Sequence, residues 1–497
     1  MENLGINLQD YQNSDLVNQV LFGNSNATQE QVNDLAKALE AKDITGQGTL
    51  NLTTASGAPL KVESLDKSLK LITFRESDIV LWKKIPKLPA YNTVEEYNQL
   101  TSYGTERGGF VLEGELPNEE DSEYIRRSAL VKFLGVTKSV THPMTLVTTM
   151  IGNVIDREVK NGTLWILRKL DKALTKANSA IIPQEFDGLY AMQANAYSSL
   201  NAYLNDSQSV VDLRGAAFGE GDMETACQSI VENGFGQANE FFAPPKVISD
   251  FAKTFYSKKL IAPNSEQVAA GVMGQRVVAL DTTYGRIGLN YDIFMNKDNN
   301  KAYNSGATSP LAPGVVTGGS VTPVGATAVN TKWAATDAGT YYFAIVPVNR
   351  FGEGAITVLN AGGLATIVTS GAADLAFTPA GGANPATGFK VYRSNKAPAS
   401  LATAIFYHMF DVSTAQRTAG YDGGAASVVR DLNRFMPNCN QAFVIQLDEE
   451  CLCFRQLAPL MKLDLAIISP AYRFMILQYG TQMLFAPKKF VRFINIG

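Results

Sequence analysis

Apolar residues recur at steps of three, four and seven along residues 143–177, which is the spacing of one face of an α-helix. Charged side chains fill most other positions, acidic ones nearer the start and basic ones at the end, as the helix dipole favours. We therefore predict one long amphipathic helix. Gly162 interrupts it, at a cost of about 1 kcal/mol relative to alanine, and is its candidate bend point. The apolar stripe is Val147, Ile151, Val154, Ile155, Val159, Ile166, Leu170, Ala173, Leu174 and Ala177.

The chain before this helix predicts a long β-hairpin, with one limb near Tyr103–Gly114 and the other at Ala129–His142. A polar tip between two β-limbs is expected to project, and an isolated hairpin is marginally stable in water. We therefore expect the hairpin to lie on another surface. Its tip carries the charged residues Glu113, Glu115, Glu119, Glu120, Asp121, Glu123, Arg126 and Arg127.

The other local patterns predict a mixed α+β body. Residues 1–60 are polar and too poor in apolar side chains to fold alone, so we expect a loose arm with one helix at Thr28–Lys42. Residues 181–192 are predicted to form a tight strand and turn, and residues 272–280 and 285–295 to form strands. Further helices are expected at Asp78–Lys84 with Ser77 as N-cap, from Asp222 as N-cap to Gly234 as C′ residue, and at residues 243–256 with prolines in the first turn.

The composition changes near Asn304, where charged residues become sparse and Gly, Ala, Thr, Pro and Val dominate. Short alternating runs at turn-punctuated spacing predict an all-β sandwich at residues 305–427. The runs YYFAIVPVNRFGEG and GFKVYRS resemble the strands and turns of fibronectin type III and immunoglobulin-like domains. Hydrophobic strands return from Asp431, with a hairpin expected near Tyr479–Gly480, so the sandwich is predicted to be an insertion.

These patterns divide the chain into six expected parts. They are an N-terminal arm at 1–60, an arm and extended hairpin at 61–142, the long helix at 143–178, an α+β body at 179–304, the inserted sandwich at 305–427 and the resumed body at 428–497.

Composition narrows the class of protein. Charged residues are only 18% of the 497, against 45% hydrophobic residues, which indicates that other subunits cover much of the surface. The net charge of −4 gives no general attraction to nucleic acid. No apolar run reaches the ~18 residues of a membrane span, and the first residues lack the features of a signal peptide. Four cysteines make no disulfide framework, so reduced thiols and assembly in the cytoplasm are expected.

Candidate catalytic chemistry is sparse, so we predict no enzyme activity, no metal and no cofactor. Neither histidine, His142 or His408, has a recognisable nucleophile motif nearby, and the glycine cluster GAAFGEG lacks the lysine of a P-loop. Cys451 and Cys453, with Cys439, are expected to be buried thiols, because structural zinc sites use cysteine pairs with two to four residues between them and a single residue separates Cys451 from Cys453.

Basic side chains on the second half of the long helix have two interpretations. Arg168, Lys169, Lys172 and Lys176 suit the helix dipole, and they suit contacts with nucleic-acid phosphates or a neighbouring chain equally well.

The order of parts resembles that of the major capsid proteins of tailed bacteriophages, which have the Hong Kong 97-type shell fold. The resemblance spans residues 61–304 and 428–497, and its specificity lies in the joint order of the motifs. Those motifs are GGFVLEGELPNEED at the hairpin, THPM before the helix, IIPQEFDGLYAM after it and SPAYRFMILQYGTQMLFAPKKFVRFINIG at the end.

The resemblance implies a structural protein of the virion. Residues 102–142 would be an extended loop that lies over a neighbouring subunit, residues 144–177 a spine helix in the peripheral domain, and residues 305–427 an outer decoration. An axial domain would gather around the capsomer axes. The implied partners are copies of the chain in hexamers and pentamers, packaged double-stranded DNA bound non-specifically, and scaffold, portal and decoration proteins, with no membrane.

Charge complementarity gives a hypothesis for contacts between subunits. We expect Glu119, Glu120 and Asp121 to face basic residues of an adjacent subunit. Each exposed pair is worth roughly 0–1 kcal/mol, but a shell repeats it many times. The candidate basic residues are Lys83, Lys84, Lys488, Lys489 and Arg492. Two other functions stay open: the shell of a cellular encapsulin-like compartment, and a surface or adhesive protein that binds through the immunoglobulin-like domain.

Overall fold

A computed structural model of the protein describes residues 73–104, 110–117, 119–147, 153–196, 209–256, 278–296, 299–326, 328–466 and 469–497. The expected N-terminal arm and its helix at Thr28–Lys42 lie outside these residues. All the elements below belong to one unit of the chain, Ile72–Gly497.

The described helices are short, apart from one of 23 residues that follows the charged hairpin. They are α1 Leu81–Lys84, α2 His142–Leu146, α3 Val154–Lys176, α4 Leu189–Ala196, α5 Glu220–Gly234, α6 Pro245–Tyr256 and α7 Thr414–Ala419.

The strands fall into two groups along the chain. Those of the body are β1 Lys87–Pro89, β2 Val94–Ser102, β3 Glu123–Leu130, β4 Lys132–Thr141, β5 Val210–Asp212, β6 Glu240–Ala243, β7 Ala279–Thr282, β8 Gly285–Tyr291, β20 Asn440–Ile445, β21 Leu452–Asp464, β22 Ala471–Leu484 and β23 Phe490–Ile496. Those of the β-rich segment, residues 300–431, are β9 Asn300–Ala302, β10 Thr317–Val324, β11 Gly339–Tyr341, β12 Phe343–Asn349, β13 Gly352–Glu353, β14 Thr357–Val358, β15 Ala365–Ile367, β16 Ala372–Thr378, β17 Gly388–Ser394, β18 Ile405–Ser413 and β19 Val428–Asp431.

Two mixed sheets form the body. In the first, the order is β1-β21-β22-β4, and only the β1–β21 pairing is parallel. In the second, the order is β5-β23-β20-β6-β8-β7, with parallel pairs at β5–β23 and β6–β8. Both sheets contain strands from before and from after the β-rich segment. The predicted α+β class is therefore observed, and the last 60 residues complete sheets that begin far upstream.

The long helix α3 packs its apolar stripe onto the first sheet. Ile166, Leu170 and Leu174 are almost completely buried in one cluster with Phe454 and Phe474 of that sheet. The Asn153 side chain caps the helix by accepting a hydrogen bond from the N–H of Ile155 (3.0 Å). The period-3.6 pattern thus identified the buried face correctly over α3.

The prediction of one helix across residues 143–177 is wrong at its start. The short helix α2 ends at Leu146, Val147 is extended and 60% exposed, and α3 begins only at Val154. Residues 148–152, with Ile151 of the predicted stripe, lie outside the described residues. Because Asn153 caps α3, Val147 of the predicted stripe lies outside this helix.

The charged hairpin is present, but its limbs differ from the prediction. Strands β2 and β3 pair antiparallel, from Val94 opposite Leu130 to Ser102 opposite Glu123. The predicted first limb near Tyr103–Gly114 is loop in its described residues. The predicted second limb breaks at Val131, which is buried, and its continuation β4 pairs with β22 instead. The alternation of apolar and polar residues predicts that a segment is a strand, but it does not predict which strand it pairs with, and this explains the error.

The β-rich segment has three sheets whose inward residues share a core. Its largest sheet has the order β9-β18-β17-β12-β13, with β14 also on β12, and the others are β10-β16-β19 and β11-β15. One buried cluster draws Phe343, Phe389 and Val412 from the largest sheet, Leu375 and Val429 from the second, and Ile367 from the third. Strands β9 and β19 lie just outside residues 305–427 and take part in these sheets.

Several smaller predictions need correction because local contacts shift the ends of the elements. Residues 76–78 form a 3-10 turn, and α1 follows with Val80 as N-cap, so Ser77 caps no helix. Helix α5 starts after Gly219, with Asp222 in its first turn accepting the Gly219 N–H (2.9 Å), and it ends at Gly234, with Phe235 as its C-cap in the left-handed region.

Two further predictions fail at turns. The strand expected within residues 181–192 is a series of turns followed by helix α4. Tyr479 and Gly480 lie inside β22, and the closing hairpin turns between β21 and β22 instead. The helix at α6 and the strand β8 are observed as predicted.

Candidate assembly surfaces

The loop between β2 and β3 exposes large apolar side chains. Phe110, Leu112 and Leu116 are 103%, 78% and 88% exposed, and Tyr103 and Tyr124 at its ends are 86% and 70% exposed. A folded chain seldom leaves so many neighbouring apolar groups in water unless they meet a partner. The sequence interpretation singled out the charges here and missed these residues, although the run FVL at 110–112 was a visible signal.

The acidic residues of the loop are also at the surface. Glu113, Glu119, Glu120 and Asp121 are exposed, and Glu115 accepts a hydrogen bond from the Leu112 N–H (3.2 Å). The loop therefore presents apolar and acidic groups together, which is the composition of an interface patch with a polar rim.

Arg126 on one limb of the hairpin contacts polar residues of the other limb. Arg126 lies 3.5 Å from the Glu96 carboxylate and donates from Nε to Asn98 (3.3 Å), so it ties β3 to β2. Both members of the ion pair are more than half exposed, so the pair contributes little to stability. Arg127 and Glu123, the other charged residues of β3, are half-buried and exposed respectively.

The body holds the base of the hairpin but leaves a cleft beneath it. The rings of Tyr97 and Phe485 meet edge to face at 4.8 Å, and the Gln99 amide donates to the Phe485 carbonyl. The cleft has a volume of about 370 Å³, with Arg127 and Gln482 among its lining residues. The hairpin is thus anchored at one end and projects at the other.

The predicted basic partners lie in different environments. Lys84 pairs with Glu240 (2.7 Å), and Lys83 donates to the Glu76 carbonyl (2.7 Å), so both already have partners in the same chain. Lys488 and Lys489 are half-buried on the 3-10 turn Pro487–Lys489.

Arg492 is half-buried, and its guanidinium is engaged within its own chain. Its guanidinium lies 3.8 Å from the centre of the Tyr190 ring and donates to Gln441 (2.7 Å). Burial lowers the pKa of Arg492 to about 10, because the charged form loses its hydration. These contacts engage Arg492 within its own chain, and its contact with an adjacent subunit stays a prediction.

The basic residues of α3 divide in the same way. Lys169 is exposed, Lys172 is half-buried, and the Arg168 guanidinium lies over the Phe74 ring at 5.6 Å. Lys176 instead turns inward and donates to the Asn299 side chain (2.6 Å). Burial lowers the pKa of Lys176 to about 7, with Lys390 and Lys172 adding to the effect. Lys176 is half-buried with its ammonium group engaged within the chain, and its contact with DNA or a neighbour stays a prediction.

A buried network joins the β-rich segment to the chain that follows it. Arg393 on β17 pairs with Asp431 (2.6 Å) and donates to the Asn433 side chain (2.6 Å). Its guanidinium lies between the rings of Trp333 (4.7 Å) and Tyr341 (5.2 Å). A fully desolvated charge is tolerated only when it is paired and hydrogen-bonded, as it is here.

The same network reaches the second sheet of the body. Arg214, which follows β5, donates to the Asn433 carbonyl (2.8 Å) and pairs with Asp337 of the β-rich segment (2.5 Å). Two arginines from different parts of the chain therefore hold the segment against the body.

Residues considered for catalysis or metal binding are placed in structural roles. His408 hydrogen-bonds Asp411 (2.8 Å) within the β-rich segment, and the backbone N–H of His142 donates to Pro470. Burial raises the pKa of the Cys451 thiol to about 12 and that of Cys453 to about 11, and both remain unlinked thiols. In the described ranges no cluster of three potential metal ligands occurs.

Among the residues that the structure describes, none of the helices is long and apolar enough to cross a lipid bilayer.

Comparison with known proteins adds independent information. The family model of the SU10 major capsid protein matches residues 43–319. A relative from Enterococcus phage phiEF24C is 23% identical over 487 residues, covering 94% of this chain and 97% of that protein. The major capsid protein of Staphylococcus phage S25-3 is 24% identical over 471 residues, covering 91% of this chain and 93% of that protein.

Similarity to solved structures is weaker. The capsid structure of the cyanophage P-SCSP1u aligns with a TM-score of 0.45 at 8% sequence identity, covering 91% of this chain and 98% of that chain.

Proposed function

The chain belongs to the SU10 major capsid protein family, whose model matches more than half of it, and we propose that it builds the icosahedral head of a tailed phage around double-stranded DNA. As a phage major capsid protein it is a structural component of the virion. Family membership favours this function over an encapsulin-like compartment or an adhesive surface protein. We propose assembly in the host cytoplasm, with scaffold, portal and decoration proteins as further partners.

The observation that carries the proposal is the surface of the charged hairpin. Phe110, Leu112 and Leu116 are solvent-exposed beside the acidic residues 119–121. Laid on an adjacent subunit, the loop would bury the apolar groups, and roughly 1.5–3 kcal/mol is gained for each large apolar side chain that becomes fully buried. The acidic residues would then determine where the loop docks, by facing a basic patch of the adjacent subunit. Lys488 and Lys489 are the remaining candidates for that patch.

The parts of the subunit acquire roles in this proposal. The hairpin β2–β3 with its loop is the extended loop of a Hong Kong 97-type subunit, and α3 is its spine helix. The β-rich segment is an immunoglobulin-like insertion on the outer surface. Lys169 and Lys172 face the enclosed DNA or a neighbouring arm, and Arg168 lies at the edge of the same surface.

Charge reversal tests the role of the hairpin. We expect E119K/E120K subunits to keep the circular dichroism spectrum of the wild type but to form few closed shells in negative-stain electron microscopy. The matched control is E449K/E450K, since Glu449 and Glu450 are also adjacent, acidic and exposed but lie in the turn before β21. Normal shells from E119K/E120K would refute the assigned contact. If neither E119K/E120K nor E449K/E450K forms shells, the change in net charge, and not the hairpin contact, causes the defect.

A further inference from the structure

Two carboxyl groups are buried together beneath the long helix. Asp171 lies on α3 and Asp292 directly follows β8, and they are 0% and 1% exposed. One oxygen of each has a backbone partner: Oδ1 of Asp171 accepts from the Trp82 N–H (2.8 Å), and Oδ1 of Asp292 accepts from the Phe294 N–H (2.7 Å). The pair therefore joins α1, α3 and the turn after β8.

The second oxygen of each carboxyl group lacks a well-formed hydrogen bond among the described residues. Oδ2 of Asp171 and Oδ2 of Asp292 are both buried, and within the described part of the chain neither has a well-formed hydrogen bond, although the backbone N–H groups of Val80 and Met295 lie near Asp171 and Asp292 respectively. The two carboxyl groups lie within hydrogen-bonding reach of each other. Two adjacent buried carboxylates repel strongly, and a buried acceptor without a hydrogen-bond donor destabilises the folded chain. A single proton between the two carboxyls removes both problems.

We propose that Asp171 and Asp292 share one proton at neutral pH, and that this proton locks the long helix to α1 and to the turn after β8. Loss of the proton places two negative charges in a site that is almost completely closed to solvent. The helix must then separate from the turn or admit water. The lock is a property of the folded subunit and stands independently of the proposed shell.

The groups that face this pair make the lock sensitive to pH. Burial raises the pKa of Asp171 to about 8, and the Asp292 charge adds to it, while burial raises the pKa of Asp292 to about 6. Lys176 attracts Asp292 from the end of α3. Tyr190 on α4 also interacts with Asp292 and has Arg492 of β23 beside it. Lys176 in turn interacts with Lys172 on α3, Lys390 on β17 and Asp411 on β18.

The sign of the pH effect follows from where the proton is bound. Asp171 is raised above its unfolded pKa of about 3.9, so its contribution to stability is present below that value and is lost as the pH rises through about 8. Asp292 has lost its contribution by about pH 6. Lys176 acts in the opposite sense but only above about pH 7, where its folded form has released its proton and the unfolded form has not. The interval from pH 6 to 7 therefore isolates Asp171.

The test compares urea unfolding of the full-length chain and its Asp171→Asn variant at several pH values. Asparagine keeps the shape and supplies a permanent N–H to Asp292. We expect the unfolding equilibrium constant of the wild type, divided by that of D171N, to rise about tenfold per pH unit between pH 6 and 7. A ratio independent of pH would overturn the shared proton. The matched control is Asp281→Asn, whose carboxylate is 85% exposed and should give a constant ratio.

Infrared spectroscopy gives a second measurement that does not depend on how well D171N folds. At pH 7 the wild type should show the absorption of a protonated, buried carboxylic acid, and this band should disappear as the pH passes 8. Where D171N or D292N folds, the band should be absent from its spectrum at pH 7. A wild-type spectrum without any such band at pH 7 would overturn the proposal.

Discussion

Gly162 permits a close contact between the long helix and the first sheet. It is buried in the middle of α3, which continues through it without a break. A Cβ atom added at this position would lie 2.7 Å from Cδ1 of Ile476 and 3.6 Å from side-chain atoms of Lys138 and Val136. Ile476 is itself only 2% exposed, so its methyl group has little room to move.

The effect of Gly162→Ala is the difference between two terms. Alanine favours the helix over glycine by about 1 kcal/mol. The extra methyl group overpacks a buried site, which typically costs about 1–3 kcal/mol. With Ile476 confined, we take about 2 kcal/mol for the overpacking and expect a net loss of about 1 kcal/mol in the free energy of unfolding. The matched control is Gly221→Ala on helix α5, where nothing lies within 4 Å and the change should stabilise by up to about 1 kcal/mol.

A second substitution identifies the contact responsible. Ile476→Val removes the Cδ1 methyl group and by itself should cost about 0.5–1.5 kcal/mol. In the double variant the new alanine methyl occupies the vacated space, so the two changes should together cost less than the sum of their separate costs. Urea unfolding of the four proteins gives this coupling. Additive effects, or a stabilised Gly162→Ala protein, would refute the close-contact explanation and leave a bend at Gly162 as the remaining explanation for the glycine.

Two other features of the structure give expected outcomes. Replacing Arg393 with alanine should lower the free energy of unfolding by about 3–5 kcal/mol, because Asp431 is left buried without its partner; a loss under 1 kcal/mol in urea unfolding would contradict the buried pair. Cys451, fully buried with its pKa raised to about 12, should resist alkylation at pH 8 in the folded chain and react in urea, as measured by mass spectrometry. The half-buried Cys439 should react before it, and labelling in the reverse order would contradict the observed burial.

The hairpin illustrates what alternation along a strand can predict. The charged loop and the presence of strands on its C-terminal side were correctly inferred. The assignment of residues 129–142 to a single limb was wrong, because β3 and β4 carry the same alternation but pair with different partners. A strand's hydrogen-bonding groups are identical whichever strand lies beside it, so only the packed structure selects the partner.

Gly162 and the basic residues of α3 show the same limit for helices. The apolar stripe located the buried face of α3, because that face depends on local spacing alone. The pattern presented the glycine as an interruption, whereas the folded chain shows a sheet close enough to meet a side chain there. Lys176 has the sequence context of an exposed helix end, yet Asn299, more than a hundred residues later, holds it inside.

The amino-acid sequence by itself determined the α+β class, the apolar face of the long helix, the charged projecting loop and the β-rich character of residues 305–427. Each of these depends on residue types a few positions apart, which set the period of burial and the local charge. Only the tertiary structure decided which strands pair, that Arg492 and Lys176 hydrogen-bond to distant residues of the chain, and that Asp171 and Asp292 meet. Those facts arise from contacts between residues far apart in the chain, and the sequence period carries no information about them.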